Sequence, residues 1–203
     1  MFVIVRHGNT FTAGEPPRRI GARTDLPLTA AGQDQARALA AHFAALDWHF
    51  GKVFVSPLLR TRQTAEAIIA GQNRPVELEN ADFLREIDHG PDENQTEDAV
   101  TARIGKQALA AWDQHAVPPS GWSIDAEHRI AAWRTLFGAP SNDDRPTLLV
   151  TSNGAARFAL LADPSLRASL NDVTTLKLPT GSYGIIRKAS HGQLEVPVWG
   201  QRP

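Results

Sequence analysis

Phe2-Val3-Ile4-Val5, the stretch Ala30 to Leu46, and Lys52-Val53-Phe54-Val55 together decide the fold. The first and third are short apolar runs rich in β-branched residues and closed by the polar Arg6 and Ser56, the pattern of strands buried on both faces of a parallel sheet. The segment between them places Ala36, Leu39, Ala40, Phe43 and Leu46 on one helical stripe, with Thr29 as its cap. This is a strand, a helix and a strand.

The same alternation continues along the chain. Leu58 to Ala70 predicts a second helix after Pro57, Val76 to Leu78 a weaker strand, and Thr147 to Thr151 another buried strand. Two further helices are expected over Thr96 to His115 and Ile124 to Phe137, separated by Val117-Pro118-Pro119-Ser120-Gly121, which cannot continue a helix. A short helix through Arg157 to Leu161 follows Thr151, and Ser182 to Lys188 with Leu194 to Trp199 reads as a hairpin around Ala189 to Gln193. The expectation is an α/β fold, a three-layer α/β/α sandwich with a mostly parallel sheet and helices on both faces, forming a single domain over residues 1–203.

Composition narrows the function classes. With 21 basic and 22 acidic residues there is no global field to draw the chain to nucleic acid or an anionic membrane, and no basic stripe for nucleic-acid binding. The absence of cysteine removes disulfides, thiolate nucleophiles and cysteine-based metal sites. No apolar stretch reaches transmembrane length and none has the layout of a signal peptide, so a cytoplasmic protein is expected. Phosphate-loop, dinucleotide, serine-elbow and zinc-protease signatures do not occur. No cofactor or metal is expected; His42, His49, His115, His128 and His191 have no ligand spacing. A homodimer through the terminal hairpin is compatible with the sequence but not demanded by it.

In open α/β sheets, ligands sit beyond the carboxyl ends of the strands. Arg6-His7-Gly8, Ser56 to Arg60, and Ser152-Asn153-Gly154 all fall there. A neutral imidazole at His7 can attack phosphorus directly, and Arg6 and Arg60 can clamp phosphoryl oxygens without a metal. Gly8 would let the backbone approach the phosphate, with Asn9 beside it. Glu86 can protonate the leaving alcohol if burial or a bound dianion raises its pKa.

Taken singly, each residue has a plainer reading. Arg6 and His7 can be a hydrogen-bonded pair at a strand end, Arg60 and Arg62 solvated helix positions, Glu86 a loop carboxylate and Asn153 the N-cap of the helix that follows. Asp88, Asp92 and Glu93 can form a polar turn in which His89 pairs with one of them, and Arg157 can face solvent. Phe11 to Arg23 and the segment from Asp88 to Trp122 are the expected substrate-facing surfaces, with Trp112 and Trp122 either lid or core.

Together the segments resemble something specific. Arg6-His7-Gly8-Asn9-Thr10, then Gly21 to Thr29 with Gly32 and Gln35-Ala36, then Ser56-Pro57-Leu58-Leu59-Arg60-Thr61-Arg62-Gln63-Thr64-Ala65, resemble the histidine phosphatase superfamily, the phosphoglycerate mutase-like clan. The likeness is strong over residues 1–90 and looser to 160. It implies that His7 is phosphorylated, that Arg6 and Arg60 bind phosphate, and that Glu86 stands at the proton donor's position.

The family pattern closes on a second histidine before glycine, where this chain has Asn153 before Gly154. Asparagine keeps a donor and loses the charge, and removing one preorganised donor typically costs about 3 kcal/mol, about a hundredfold in rate. His89, Gly154 and Arg157 are the residues placed to compensate. The resemblance therefore implies a metal-independent phosphomonoesterase acting through phosphohistidine on a small phosphorylated metabolite, its activity reduced by Asn153. The alternatives are a weak or inactive phosphate-ester binding or regulatory protein, and a phosphoglycerate mutase-type phosphotransferase. For the last, Arg18, Arg19 and Arg23 are the only extra basic cluster in view.

Overall fold

A computed structural model describes residues 1–140, 143–168, 175–190 and 192–203, so His191 lies outside the described residues. In chain order the elements are β1 (Phe2–Arg6), α1 (Ala30–Ala45), β2 (Lys52–Val55), α2 (Leu59–Ile69), β3 (Leu78–Asn80), α3 (Glu97–His115), α4 (Ala126–Gly138), β4 (Thr147–Thr151), α5 (Asn153–Ala156), α6 (Pro164–Ala168), β5 (Tyr183–Lys188) and β6 (Leu194–Gln201). They form a six-stranded sheet in the order β3-β2-β4-β1-β5-β6. The first four strands of that order pair in parallel, and β5 and β6 extend the sheet as the antiparallel hairpin expected from the tail.

The central strands β1, β2 and β4 are apolar over most of their length because both faces are covered. Val3, Val5, Val53, Val55, Leu148 and Val150 face one way, onto Leu39 and Phe43 of α1 and Ala65 and Ile68 of α2. Ile4 and Leu149, the alternate positions, face the other way into a core with Val100 and Trp112 of α3 and Trp133 and Phe137 of α4. The α/β/α sandwich with helices on both faces is thus present. Thr29 caps α1 as expected, accepting from the Gly32 N–H at 3.1 Å.

Three details differ from the sequence reading. The weak strand lies at Leu78–Asn80, two residues later than expected, because parallel pairing with β2 sets Leu78 opposite Val53 and Asn80 opposite Val55; sheet register outweighs the apolar preference of residues 76–78. Helix α3 is broken at Gly105, whose φ of 81° and ψ of 156° are not helical, a conformation glycine tolerates for want of a Cβ. Helix α4 begins at Ala126, because Asp125 accepts from the His128 N–H at 3.1 Å and caps it there. Among the described residues no helix is long and apolar enough to cross a membrane.

Candidate active site

Neighbouring parallel strands bring their loops together. β1 lies beside β4, so the His7 N–H donates to Thr151 O at 3.1 Å; β2 lies beside β4 on its other side, so the Ser56 N–H donates to Val150 O at 3.0 Å. The three segments expected to converge do so. Beyond them opens a cavity of about 630 Å³, whose inner wall includes Arg6, His7, Asn9, Glu86, His89, Asn153 and Gly154.

His7 is buried, and its Nδ1 lies 2.8 Å from Gly8 O. A carbonyl only accepts, so the proton sits on Nδ1 and Nε2 keeps its lone pair. Burial, with the positive charges of Arg60 and Arg6 behind it, holds the His7 pKa well below its ordinary value. The imidazole is therefore neutral.

Arg60 is fully buried rather than solvated, because its guanidinium is used up internally. Its Nε–H donates to His7 Nε2 at 3.2 Å, Nη1 to Thr24 O at 2.8 Å and Nη2 to Gly21 O at 3.2 Å. It is not among the residues lining the cavity and reaches the site through His7. Arg62 is the helix position that stays partly exposed, bonded to Asn80. Arg6 lines the cavity and donates through Nη1 to Leu178 O at 2.9 Å, while its Nε is buried without a partner. Burial lowers its pKa to about 10, against the support of Glu86.

Gly8 serves packing instead of phosphate approach. A Cβ there would stand 2.3 Å from Gly32 O, and Gly8 is not in the cavity wall. Asn9 is in the wall, with its backbone N–H held by Gln35 Oε1 at 2.8 Å and its carbonyl by the Thr29 N–H at 2.9 Å. The motif residues Gly32 and Gln35 thus shape the loop that follows His7.

Glu86 is buried, not an ordinary loop carboxylate. Its Oε2 accepts from the Gly154 N–H at 2.9 Å and its Oε1 from the Ile87 N–H at 2.9 Å. A Cβ at position 154 would lie 2.3 Å from Oε1, which explains the glycine. Burial alone would raise the carboxyl's pKa, but His89, the two backbone donors and Arg60 outweigh it and leave the pKa lowered. The expected rise is absent from the site as it stands.

Asn153 is the first residue of α5 and not its cap; Ser152 holds that position, with no capping bond from its side chain. Instead Asn153 Oδ1 accepts from the Leu178 N–H at 2.9 Å. Its amide nitrogen, the remaining end, is a donor available to the cavity that Asn153 lines.

Arg157 faces inward, fully buried, contrary to the solvated alternative. Its guanidinium carbon sits 3.8 Å from the centroid of Trp112, and Nε and Nη2 have no hydrogen-bond partner. Burial lowers its pKa to about 10, with Glu86 and Asp113 opposing. His89 is buried edge-on to Trp122, ring centroids 4.6 Å apart, with Nδ1 3.6 Å from Glu93 Oε2. It therefore both pairs with the turn and borders the cavity. Trp112 and Trp122 are core residues, the former also touching the cavity.

The outer wall draws on both expected surfaces, Phe11 to Arg23 through Phe11, Glu15, Arg18, Arg19 and Ile20, and Asp88 to Trp122 through Glu97, Trp112 and Asp113. Sequence reading missed Lys177 and Thr180, which arrive from the loop before β5. Their only signal was the turn-forming Pro179 and Gly181 nearby. Among the described residues no group of three or more His, Cys, Asp or Glu side chains could hold a metal ion.

Residues 2–200 match the family model described as histidine phosphatase superfamily, branch 1. The chain is 28% identical over 192 residues to a 2,3-bisphosphoglycerate-dependent phosphoglycerate mutase of Rhizobium etli, covering 93% of this chain and 90% of the relative. It is 35% identical over 163 residues to a probable phosphoglycerate mutase of Salmonella arizonae, covering 78% and 72%. The native structure of mycobacterial glucosyl-3-phosphoglycerate phosphatase superposes with a TM-score of 0.73 at 20% identity, covering 100% of this chain and 99% of that one. That protein has also been solved in complex with inorganic phosphate and with VO3.

Proposed function

The chain belongs to the histidine phosphatase superfamily, and we propose that it is a metal-independent phosphomonoesterase that works through a phosphohistidine at His7 on a small phosphorylated compound. The observation that carries this reading is the state of His7: a neutral imidazole with its proton fixed on Nδ1 by Gly8 O, leaving Nε2 as a nucleophile beside Arg6 and Arg60.

In the first step Nε2 of His7 forms a bond to phosphorus as the bond to the ester oxygen breaks. Arg6 lies along the cavity wall to meet the phosphoryl oxygens, and Arg60 exchanges its bond to Nε2 for one to the transferring group. The Asn153 amide supplies a neutral donor. Glu86, whose pKa rises once the ester's dianion stands beside it, takes up a proton from solvent as the ester binds and passes it to the leaving oxygen. In the second step Glu86 takes a proton from water, the water oxygen bonds to phosphorus, and the bond to Nε2 breaks.

A second reading, a phosphate-ester binding protein on the same scaffold, is favoured by the neutral Asn153 and by the ionised Glu86. One experiment separates them. Turnover of a phosphomonoester panel that survives chelator and vanishes in His7→Ala supports the phosphatase. Tight phosphate binding without turnover of any ester supports the binder, and turnover untouched by His7→Ala ends the mechanism.

A further inference from the structure

The outer half of the cavity carries information about the leaving group, on the footing that the phosphatase reading holds. Each cation in that wall is paired with a carboxylate that also lines it. Arg18 Nη2 is 3.3 Å from Glu15 Oε1, Arg19 Nη2 is 2.5 Å from Glu97 Oε2, and Lys177 Nζ is 2.6 Å from Asp113 Oδ2. Two of the arginines are pinned a second time, Arg18 over the Phe11 ring at 5.4 Å and Arg19 over Trp122 at 5.1 Å. Among the described residues, no cation of the outer wall is left without an acid.

Such a surface sets three carboxylates against three cations, so it offers both donors and acceptors and no net positive charge. A hydroxyl both donates and accepts, so it can bond to a carboxylate of this wall and to its cationic partner without separating them. A second acid on the substrate can only accept. To reach Arg19 or Lys177 it would have to stand beside Glu97 or Asp113, like charge against like charge, or displace them. Thr10 and Thr180 add neutral polar groups to the same cavity. We propose that the substrate is the phosphomonoester of an uncharged polyhydroxy alcohol, a sugar or glycerol unit, and not of an alcohol bearing a second acidic group.

Glycerol 3-phosphate and 3-phosphoglycerate test this directly, since a hydroxymethyl group in one replaces a carboxylate in the other. The wall predicts kcat/KM about tenfold or more in favour of glycerol 3-phosphate at equal pH and ionic strength. The double variant Glu97→Gln, Asp113→Asn frees Arg19 and Lys177, takes from buried Arg157 the carboxylate 4.0 Å from its Nη2, and should shrink that preference about threefold or more. Equal rates, a preference for 3-phosphoglycerate, or a preference unmoved by the double variant would overturn the proposal. The same order is read as dissociation constants of the two esters on His7→Ala, where no turnover is needed. A protein that turns over no phosphomonoester but binds glycerol 3-phosphate more tightly loses the phosphatase reading and keeps the specificity; the reverse affinity order loses the specificity alone.

Discussion

Arg60 donates its Nε–H to His7 Nε2 across 3.2 Å, so the nitrogen assigned to attack is already covered by a buried cation. The contact adds to burial in keeping His7 unprotonated, and it aims the lone pair. It also ties the nucleophile to the loop of Gly21 and Thr24, whose carbonyls hold the other end of the guanidinium. Nucleophile, charge and cavity wall are one connected unit.

Arg60→Lys tests that unit. A lysine keeps a charge but cannot span His7, Thr24 and Gly21 at once. Losing charge-assisted bonds to buried carbonyls costs about 1.5–3 kcal/mol each, so a clear drop in the unfolding midpoint is expected together with a fall in kcat. Wild-type stability and rate in Arg60→Lys would contradict the assignment.

The state of His7 sets a pH dependence. Its folded pKa lies well below the ordinary 6.5. Between those two values the unfolded chain binds a proton that the folded chain refuses, so this contribution to stability is present above pH 6.5 and is lost as pH falls toward the folded pKa. Denaturant titrations of wild type and His7→Asn across this window should show the wild type losing stability more steeply on acidification. Parallel curves would argue against a neutral, buried His7.

Glu86→Gln separates proton donation from phosphate binding. The amide keeps an acceptor for one of the N–H groups of Gly154 and Ile87 but cannot deliver a proton. Hydrolysis of alkyl phosphates should fall by about a hundredfold or more. p-Nitrophenyl phosphate, whose leaving group needs no proton, should fall far less. Equal losses on both esters would assign Glu86 to positioning.

Asn153→His asks whether the asparagine is a loss. The Leu178 N–H points at Oδ1 of Asn153 and needs an acceptor there. A neutral imidazole can supply one, whereas a charged imidazole would set donor against donor. The variant should therefore change kcat only severalfold in either direction. A gain of about a hundredfold would show that the lost charge limits this enzyme.

Gly8→Ala probes the packing beneath the site. The added Cβ would meet the backbone of Gly32 at 2.3 Å, and that backbone has no rotamer with which to yield. Overpacking of this kind costs about 1–3 kcal/mol or more, so poor expression or a lowered melting point is expected. Normal folding with unchanged activity would show that α1 can move away.

Much of this was legible in the sequence because periodicity and motif order are local properties. β1, α1, β2 and β4 follow from apolar runs whose burial on both faces leaves little choice of structure. The loops of Arg6-His7 and Asn153 meet because β1 and β4 are neighbours, a consequence of topology. What local reading missed depends on distant partners. Nothing near Asn153 shows that Leu178 will claim its carbonyl in place of a capping bond. Nor does anything near Arg157 show that it will turn inward over Trp112, or anything near Glu86 that the Gly154 N–H will bond to its carboxylate. The two-residue displacement of β3 has the same origin, since its register is imposed by β2.

The proposed mechanism turns on a covalent bond between His7 Nε2 and phosphorus. Rapid mixing with a phosphomonoester, alkaline quenching to preserve phosphohistidine, and mass spectrometry of the peptides tests it most directly. A phosphoryl increment is expected on the peptide containing His7, formed within one turnover and absent from His7→Ala. Steady hydrolysis with no increment at His7 at any time within a turnover would contradict it.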